Sequence, residues 1–297
     1  MAVDNGFISK LTDTFKRGDI IVRLIYINVA VFLAVSMVGV AFTLFNVSCR
    51  GWETCLVFPA SLSSFAGRPW TLLTYMFMHA DVWHILFNML WLYWFGRLAL
   101  NSFSSKHLRG LYVLGGIVGA GVYMLAYNIF PYFQPQLPAA HLLGASASVL
   151  AIVVASAVRE PDYPVRFMFL GEIKLKYVAL FVVALDLLLM TSENAGGHIA
   201  HLGGALAGWL FASGLSKGYD VTRWINWILD AFSLHGRQRK PKMKVHFGNG
   251  RQPDYEYNTR KKEQEDEINR ILDKLRKSGY GSLTSDEKKS LFDAGKN

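Results

Sequence analysis

Apolar and polar positions in this chain do not alternate at the period of a soluble helix or strand. They are sorted into long apolar runs separated by short polar stretches. A run of about 20 apolar residues reads as a helix that crosses a membrane. Six windows of this kind are predicted: about Ile20 to Phe45, interrupted by Arg23 and Asn28; Trp83 to Leu100; Gly110 to Phe130, without a charge; Leu142 to Val158; Tyr177 to Met190, short and with Asp186 inside; and about Gly197 to Leu215. The first window lacks a small-residue cleavage site after a short apolar stretch, so it reads as a retained span. Tyr219 to Ser233 is too short and too charged to span, but Trp224, Trp227, Ile228 and Phe232 give it an apolar face that suits a membrane interface. GNGRQPDYEYN reads as a linker. Beyond it, Ile268, Ile271, Leu272 and Leu275 recur at helical spacing until Gly279 and Gly281 break the pattern, and Thr284 with Glu287 opens a second helix as a capping box. The predicted organisation is an N-terminal segment at 1–19, a six-helix domain at 20–216, an interfacial amphipathic helix at 217–236 and a tail at 237–297.

Composition narrows the class. Hydrophobic residues make up 52% of the chain and charged residues 18%, against about 25% charged in soluble domains. That excludes a soluble enzyme throughout, a disordered chain and a coiled coil, and two cysteines exclude a disulfide framework. The net charge of +9 suggests nucleic acid until it is located: 16 of the 31 Lys and Arg residues lie from Arg237 onward. A basic cluster at 237–244 beside a membrane body reads as attraction to anionic lipid, not nucleic acid. The 263–297 hairpin is too small for a large core; it is expected either to take a cytoplasmic partner or to be a solvated tail.

The basic residues alternate in the connections. Lys10, Lys16, Arg17 and Arg23 precede or open the first window; Arg97, Lys106 and Arg109 lie between the second and third; Arg159, Arg166, Lys174 and Lys176 between the fourth and fifth. The opposite connections hold only Arg50 and Arg68. That asymmetry places both termini in the cytoplasm and leaves a long first external loop at about 46–82. Cys49 and Cys55 lie in that loop, placed either to pair or to remain thiols.

The second, fourth and sixth windows then begin at the external face, and their polar residues share one depth. His84 and Asn88 open the second, Ser146 the fourth, and His198 and His201 the sixth. With a rise of about 1.5 Å per residue, all lie within a few turns of the outer surface. A serine hydroxyl needs a neighbouring base to become a nucleophile, histidine is the usual base, and the tetrahedral intermediate needs hydrogen-bond donors for its oxyanion. Ser146 at a helix start has free backbone N–H groups and the positive end of the helix dipole beside it. His84 and Asn88, four apart, share a helical face. Gly204 and Gly208 follow His201 at three and seven positions, and Ala147, Ala151 and Ala155 recur at spacing four. Such small stripes let helices approach closely in lipid, which a short serine side chain requires to meet an imidazole; alone, they suit packing equally well.

These residues resemble the rhomboid family of intramembrane serine proteases. GASA at Gly144–Ala147 is similar to the family's G-x-S-G, HADVWHILFN at His79–Asn88 to its H-x-x-x-N, and AHLGGALAG at Ala200–Gly208 to its A-H-x-x-G-x-x-x-G. RPWTLLTYMFMH at Arg68–His79 is similar to the segment before the family's second span. The resemblance covers about residues 20–216. It implies an all-α membrane protein: a six-transmembrane-helix bundle with a long first external loop, extended here by a small helical cytoplasmic tail. It implies Ser146 as nucleophile and His201, not His198, as base, in a dyad with no required acid and with no cofactor or metal. His84, Asn88 and the Ser146 amide would form the oxyanion site, with Gly144, Gly204, Gly208 and His79 in supporting positions. The implied substrates are transmembrane segments of single-pass proteins, cut near the outer face. The basic tail resembles those of Bacteroides-type rhomboids, which implies a bacterial inner membrane with the site open to the periplasm.

Two positions depart from the family pattern: Ala147 stands where glycine is usual, and Leu150 where an aromatic often stacks on the base. One rival reading is a catalytically silent, client-binding relative; another is a transporter with histidine proton relays, for which no inverted repeat is detectable. His198 reads as a loop-end histidine meeting water. Asp186 reads as a hydrated or protonated carboxyl, or alternatively as a third member orienting a histidine. His107 and His141 read as interfacial or loop residues, with His141 near enough to Ser146 to cap the site. Trp83, Trp91 and Trp94 read as belt and packing aromatics.

Overall fold

The computed structural model describes residues 5–47, 51–167, 171–232 and 251–294. Cys49 and the basic cluster at 237–244 lie outside the described residues. The chain divides into two compact units, Met1–Leu234 and His235–Asn297.

The first unit opens with helices α1 (Asn5–Arg17) and α2 (Ile20–Leu44). Asp19 separates them. Its carboxylate accepts from the backbone N–H groups of Ile21 and Val22, each at 3.0 Å, which satisfies two of the free donors at a helix start. A loop segment follows with β1 (Phe58–Pro59), α3 (Leu62–Gly67) and α4 (Thr71–Thr74). Then come α5 (Val82–Ala99), α6 (Ser105–Ile129), β2 (His141–Leu142) and α7 (Ser146–Arg159). The strands β3 (Pro164–Phe167) and β4 (Gly171–Lys174), α8 (Leu175–Leu188), α9 (Ala195–Ser216) and α10 (Arg223–Phe232) complete the unit.

Helices occupy all six apolar windows. Three of them, α2, α6 and α9, are long and apolar enough to cross a membrane, whereas α7 is apolar but shorter. The fourth window starts later than its hydropathy suggests. His141 and Leu142 are extended and pair antiparallel with Pro59 and Phe58, and Gly144, at φ +123°, turns the chain into α7. An apolar run suits a buried strand as well as a helix, so the pattern alone does not separate the two. The β3–β4 pair likewise lies where only a basic connection is expected.

The centre of the bundle is α6, α7 and α9. Their contact is close because glycine removes a side chain at each crossing, leaving backbone against backbone between α7 and α9 and backbone against alanine methyls between α6 and α7. A β-carbon on Gly204 would stand 2.1 Å from the Ala147 carbonyl oxygen, and one on Gly208 would stand 2.3 Å from that of Ala151. A β-carbon on Gly119 would stand 2.7 Å from that of Ala147. The loop before α5 is fastened to this core by polar groups. Tyr75 Oη donates to the Gly116 carbonyl at 2.7 Å, and Tyr112 Oη donates to that of Met76 at 3.1 Å. Buried Asn28 on α2 donates to Tyr112 Oη at 3.1 Å.

At the other end of the bundle, Arg109 donates to Asn226 Oδ1 and Asp230 Oδ1 of α10, and Lys106 donates to Asp230 Oδ2. The bonds from Lys106 and Arg109 hold the Asp230 carboxyl below the usual carboxylate range. Trp224, Trp227 and Phe232 are left exposed along α10.

The second unit is α11 (Arg251–Ser278), a 3₁₀ turn and α12 (Ser285–Ala294). Residues 251–258, read as linker, are helical. Pro253 does not prevent this, because the first turn of a helix uses no backbone N–H in its own ladder. Ile271 and Leu283 are buried, and Lys274 Nζ pairs with the Glu287 carboxylate at 2.8 Å.

Candidate active site

Three helix starts meet around the expected residues. Ser146 is the first residue of α7, and no side chain caps that helix. The neighbouring intrahelical bond runs from the Val149 N–H to the Ala145 carbonyl. The N–H groups of the first turn are therefore available, as at any uncapped start. Asn88 and Ser146 face the same space as His201 on α9, and all three line two cavities at once. One cavity, of about 210 Å³, is apolar and walled by Phe87, Trp91, Val149, Leu150 and Val182. The other, of about 810 Å³, is much the more polar of the two, with Asp81, His84, Gln136, Glu193 and Asn194 among its walls. The serine and the imidazole thus stand at a boundary between a greasy groove and a polar vestibule. Ser146 Oγ makes no hydrogen bond to His201 among the described residues; such bonds are often long before substrate binds.

The close crossing of α7 and α9 follows from the small stripes. Gly204 and Gly208 sit against the backbone of Ala147 and Ala151, while the Ala147 methyl faces Gly119 of α6, so Ala147 is accommodated where glycine was expected. Gly144 has a second use. The point its β-carbon would occupy is 3.0 Å from His84 Nε2 and 3.6 Å from Ser146 Oγ. The absent side chain leaves that space open between the two. The backbone N–H of Ala80 donates to His84 Nδ1 at 3.3 Å, so in the neutral ring the proton sits on Nε2. That nitrogen borders the open space. Asn88, buried on the same face, donates one amide hydrogen to the His84 carbonyl at 2.8 Å.

His79 packs its ring edge-on to His84, with centroids 5.2 Å apart. Burial, reinforced by the His84 ring, lowers its pKa to about 4, so it stays neutral near pH 7. His141 is exposed on β2 and lines the polar cavity. His107 lies on α6, 3.7 Å from Asp220. Of the three tryptophans, Trp83 and Trp94 are exposed and Trp91 walls the apolar cavity.

Asp186 and His198 are placed differently from the expectation of hydrated residues. Asp186 is 4% exposed. Its Oδ1 lies at hydrogen-bonding distance from His198 Nδ1, 2.8 Å, and from His201 Nδ1, 2.9 Å. The two imidazoles meet edge to face, centroids 6.0 Å apart, so the ring beside His201 belongs to His198 and not to position 150. The available sequence signal was an ionisable residue within an apolar helix and two histidines three apart. Asp186, His198 and His201 are also the described residues that could hold a metal, with one donor atom each within 4.8 Å of the others.

Residues 66–218 match the model of the rhomboid domain, and residues 253–296 match that of a family of unknown function, DUF6576. Among curated proteins, the chain is 28% identical over 210 residues to RHOMBOID-like protein 12, mitochondrial, of Arabidopsis thaliana, covering 67% of this chain and 59% of that protein. It is 26% identical over 198 residues to Rhomboid-like protein 17, chloroplastic, of the same plant, covering 63% and 59%. The chain therefore spans less than two thirds of the length of these relatives.

Proposed function

The chain belongs to the rhomboid family, and from that premise we propose that it is an intramembrane serine endopeptidase acting through Ser146 and His201. The observation that carries this reading is that one serine and one imidazole line an apolar cavity and a polar one together. A transmembrane segment would enter by the first and water by the second. We take α2 and α5 to α9 as six spans, both termini as cytoplasmic and the polar cavity as opening outward.

In the proposed reaction, His201 Nε2 takes the Ser146 hydroxyl proton as Oγ bonds to the scissile carbonyl carbon. The carbonyl oxygen becomes an oxyanion and accepts hydrogen bonds from His84 Nε2–H, the Asn88 amide and the Ser146 N–H. The imidazolium returns its proton to the departing amine as the C–N bond breaks. Water then repeats the attack on the acyl-enzyme. The bacterial inner membrane and the single-pass substrates belong to this proposal. So do anionic lipid at 237–244 and a cytoplasmic partner for the 263–297 hairpin.

A fluorophosphonate probe on the detergent-solubilised protein tests the reading. Labelling is expected to vanish in Ser146→Ala and to fall steeply in His201→Ala. The second reading, a silent client-binding relative, is favoured by Ala147 and by the unmade Ser146–His201 bond. A correctly folded wild type that takes no label would establish it in place of the protease.

A further inference from the structure

We infer, resting on the protease reading, that Asp186 is a positioning residue for the base, so that the site is a shared carboxylate with two histidines and not a bare dyad. A carboxylate can only accept. The bonds at 2.8 and 2.9 Å therefore place a proton on Nδ1 of both His198 and His201. In neutral His201 that leaves the lone pair on Nε2, the nitrogen required to take the serine proton. Asp186 thus selects the productive tautomer and fixes the ring plane. His198 supplies the ring edge against His201 and a second N–H to the same oxygen.

The burial of Asp186 gives the arrangement a direction. Its Oδ2 is buried with no hydrogen-bond partner among the described residues. A buried carboxylate so sparsely satisfied is costly. His201 becomes an imidazolium as Ser146 attacks, and its Nδ1–H already stands 2.9 Å from Asp186 Oδ1 to share that charge. An interaction stronger in that state than in the resting state accelerates the step. The other titratable or charged groups that share the cavity or a ring contact with His201 are His84 and Asp81 from α5 and its cap, Tyr127 from α6, His141 from β2, Glu193 before α9 and His198 on α9 itself. None of these is hydrogen-bonded to a ring nitrogen of His201 among the described residues; Asp186 is.

Two readouts on the full chain separate positioning from a merely structural clasp between α8 and α9. The first is phosphonylation by a fluorophosphonate, in which the O–P bond forms, fluoride leaves and the serine proton passes to His201. For Asp186→Asn, kinact is expected to fall by about 10²-fold, with KI within about twofold, and Asp186→Glu to recover part of the loss. The second is ¹⁵N NMR of histidine-labelled wild type, with the His201 signals identified by their loss in His201→Gln. It is expected to show the proton on Nδ1. Wild-type kinact in a folded Asp186→Asn protein overturns the inference, and so does a proton on Nε2 of His201. If Asp186→Asn does not fold, the tautomer in the wild type decides alone. Absence of labelling in the wild type removes the protease reading, a result distinct from either.

Discussion

At the start of α12, Thr284 Oγ1 accepts from the Glu287 N–H at 3.3 Å, and the Glu287 carboxylate accepts from the Thr284 N–H at 2.8 Å. At the start of α7, Ser146 stands at a helix end that no side chain caps. Both starts carry a hydroxyl residue, and they use it in opposite ways. In α12 the hydroxyl turns back to its own backbone and saturates free donors, which stabilises a small exposed hairpin. In α7 the hydroxyl faces two cavities and the helix donors are left open. The cost of the uncapped end is offset elsewhere, by backbone contact between α7 and α9 at Gly204 and Gly208. A helix start whose donors are unspent can stabilise a developing anion; one whose donors are spent cannot.

The largest expected effect is on that supporting contact. Gly204→Val places carbon where the Ala147 carbonyl already stands, 2.1 Å away, and backbone cannot yield as a flexible side chain does. Overpacking of this kind costs about 1 to 3 kcal/mol, and a backbone clash belongs at the upper end. The expected outcome is a lowered melting temperature in detergent together with loss of fluorophosphonate labelling; a wild-type melt would show that α7 and α9 are not held by this crossing. Next, His84→Ala removes a donor beside the space over Gly144 without touching the α7–α9 contact. Phosphonylation is expected to slow by about 10- to 10³-fold with the melt preserved, and an unchanged rate would take His84 out of the oxyanion site. The smallest effect is at the other helix start. Thr284→Ala is expected to lower the opening free energy of α12 by about 1 kcal/mol, read as hydrogen-exchange protection over 285–294, with labelling at Ser146 unaffected. A change in labelling there would couple the two starts.

Much of this was legible before any coordinates. Hydropathy located the helices because a long apolar run has few other fates, and Thr284 with Glu287 announced a cap because that device is local. Ser146, His201, His84 and Asn88 were expected at one depth because helix rise converts position into height, and the four line one cavity. Leu142 was not separable from α7, since an apolar residue at the end of a run fits a strand equally well. The helical 251–258 segment was hidden behind polar residues and a proline.

The sequence by itself determined which residues are apolar enough for helices and which hydroxyl and imidazoles those helices carry. Only the tertiary structure decided how each helix is rotated against its neighbours. That rotation puts one oxygen of Asp186 between His198 and His201, and His84 Nε2 beside the space over Gly144. The reason is physical: periodicity reports the face of one helix, whereas a hydrogen bond between two helices depends on their relative rotation to within an ångström. Close packing of glycine on alanine sets that rotation for α9 against α7.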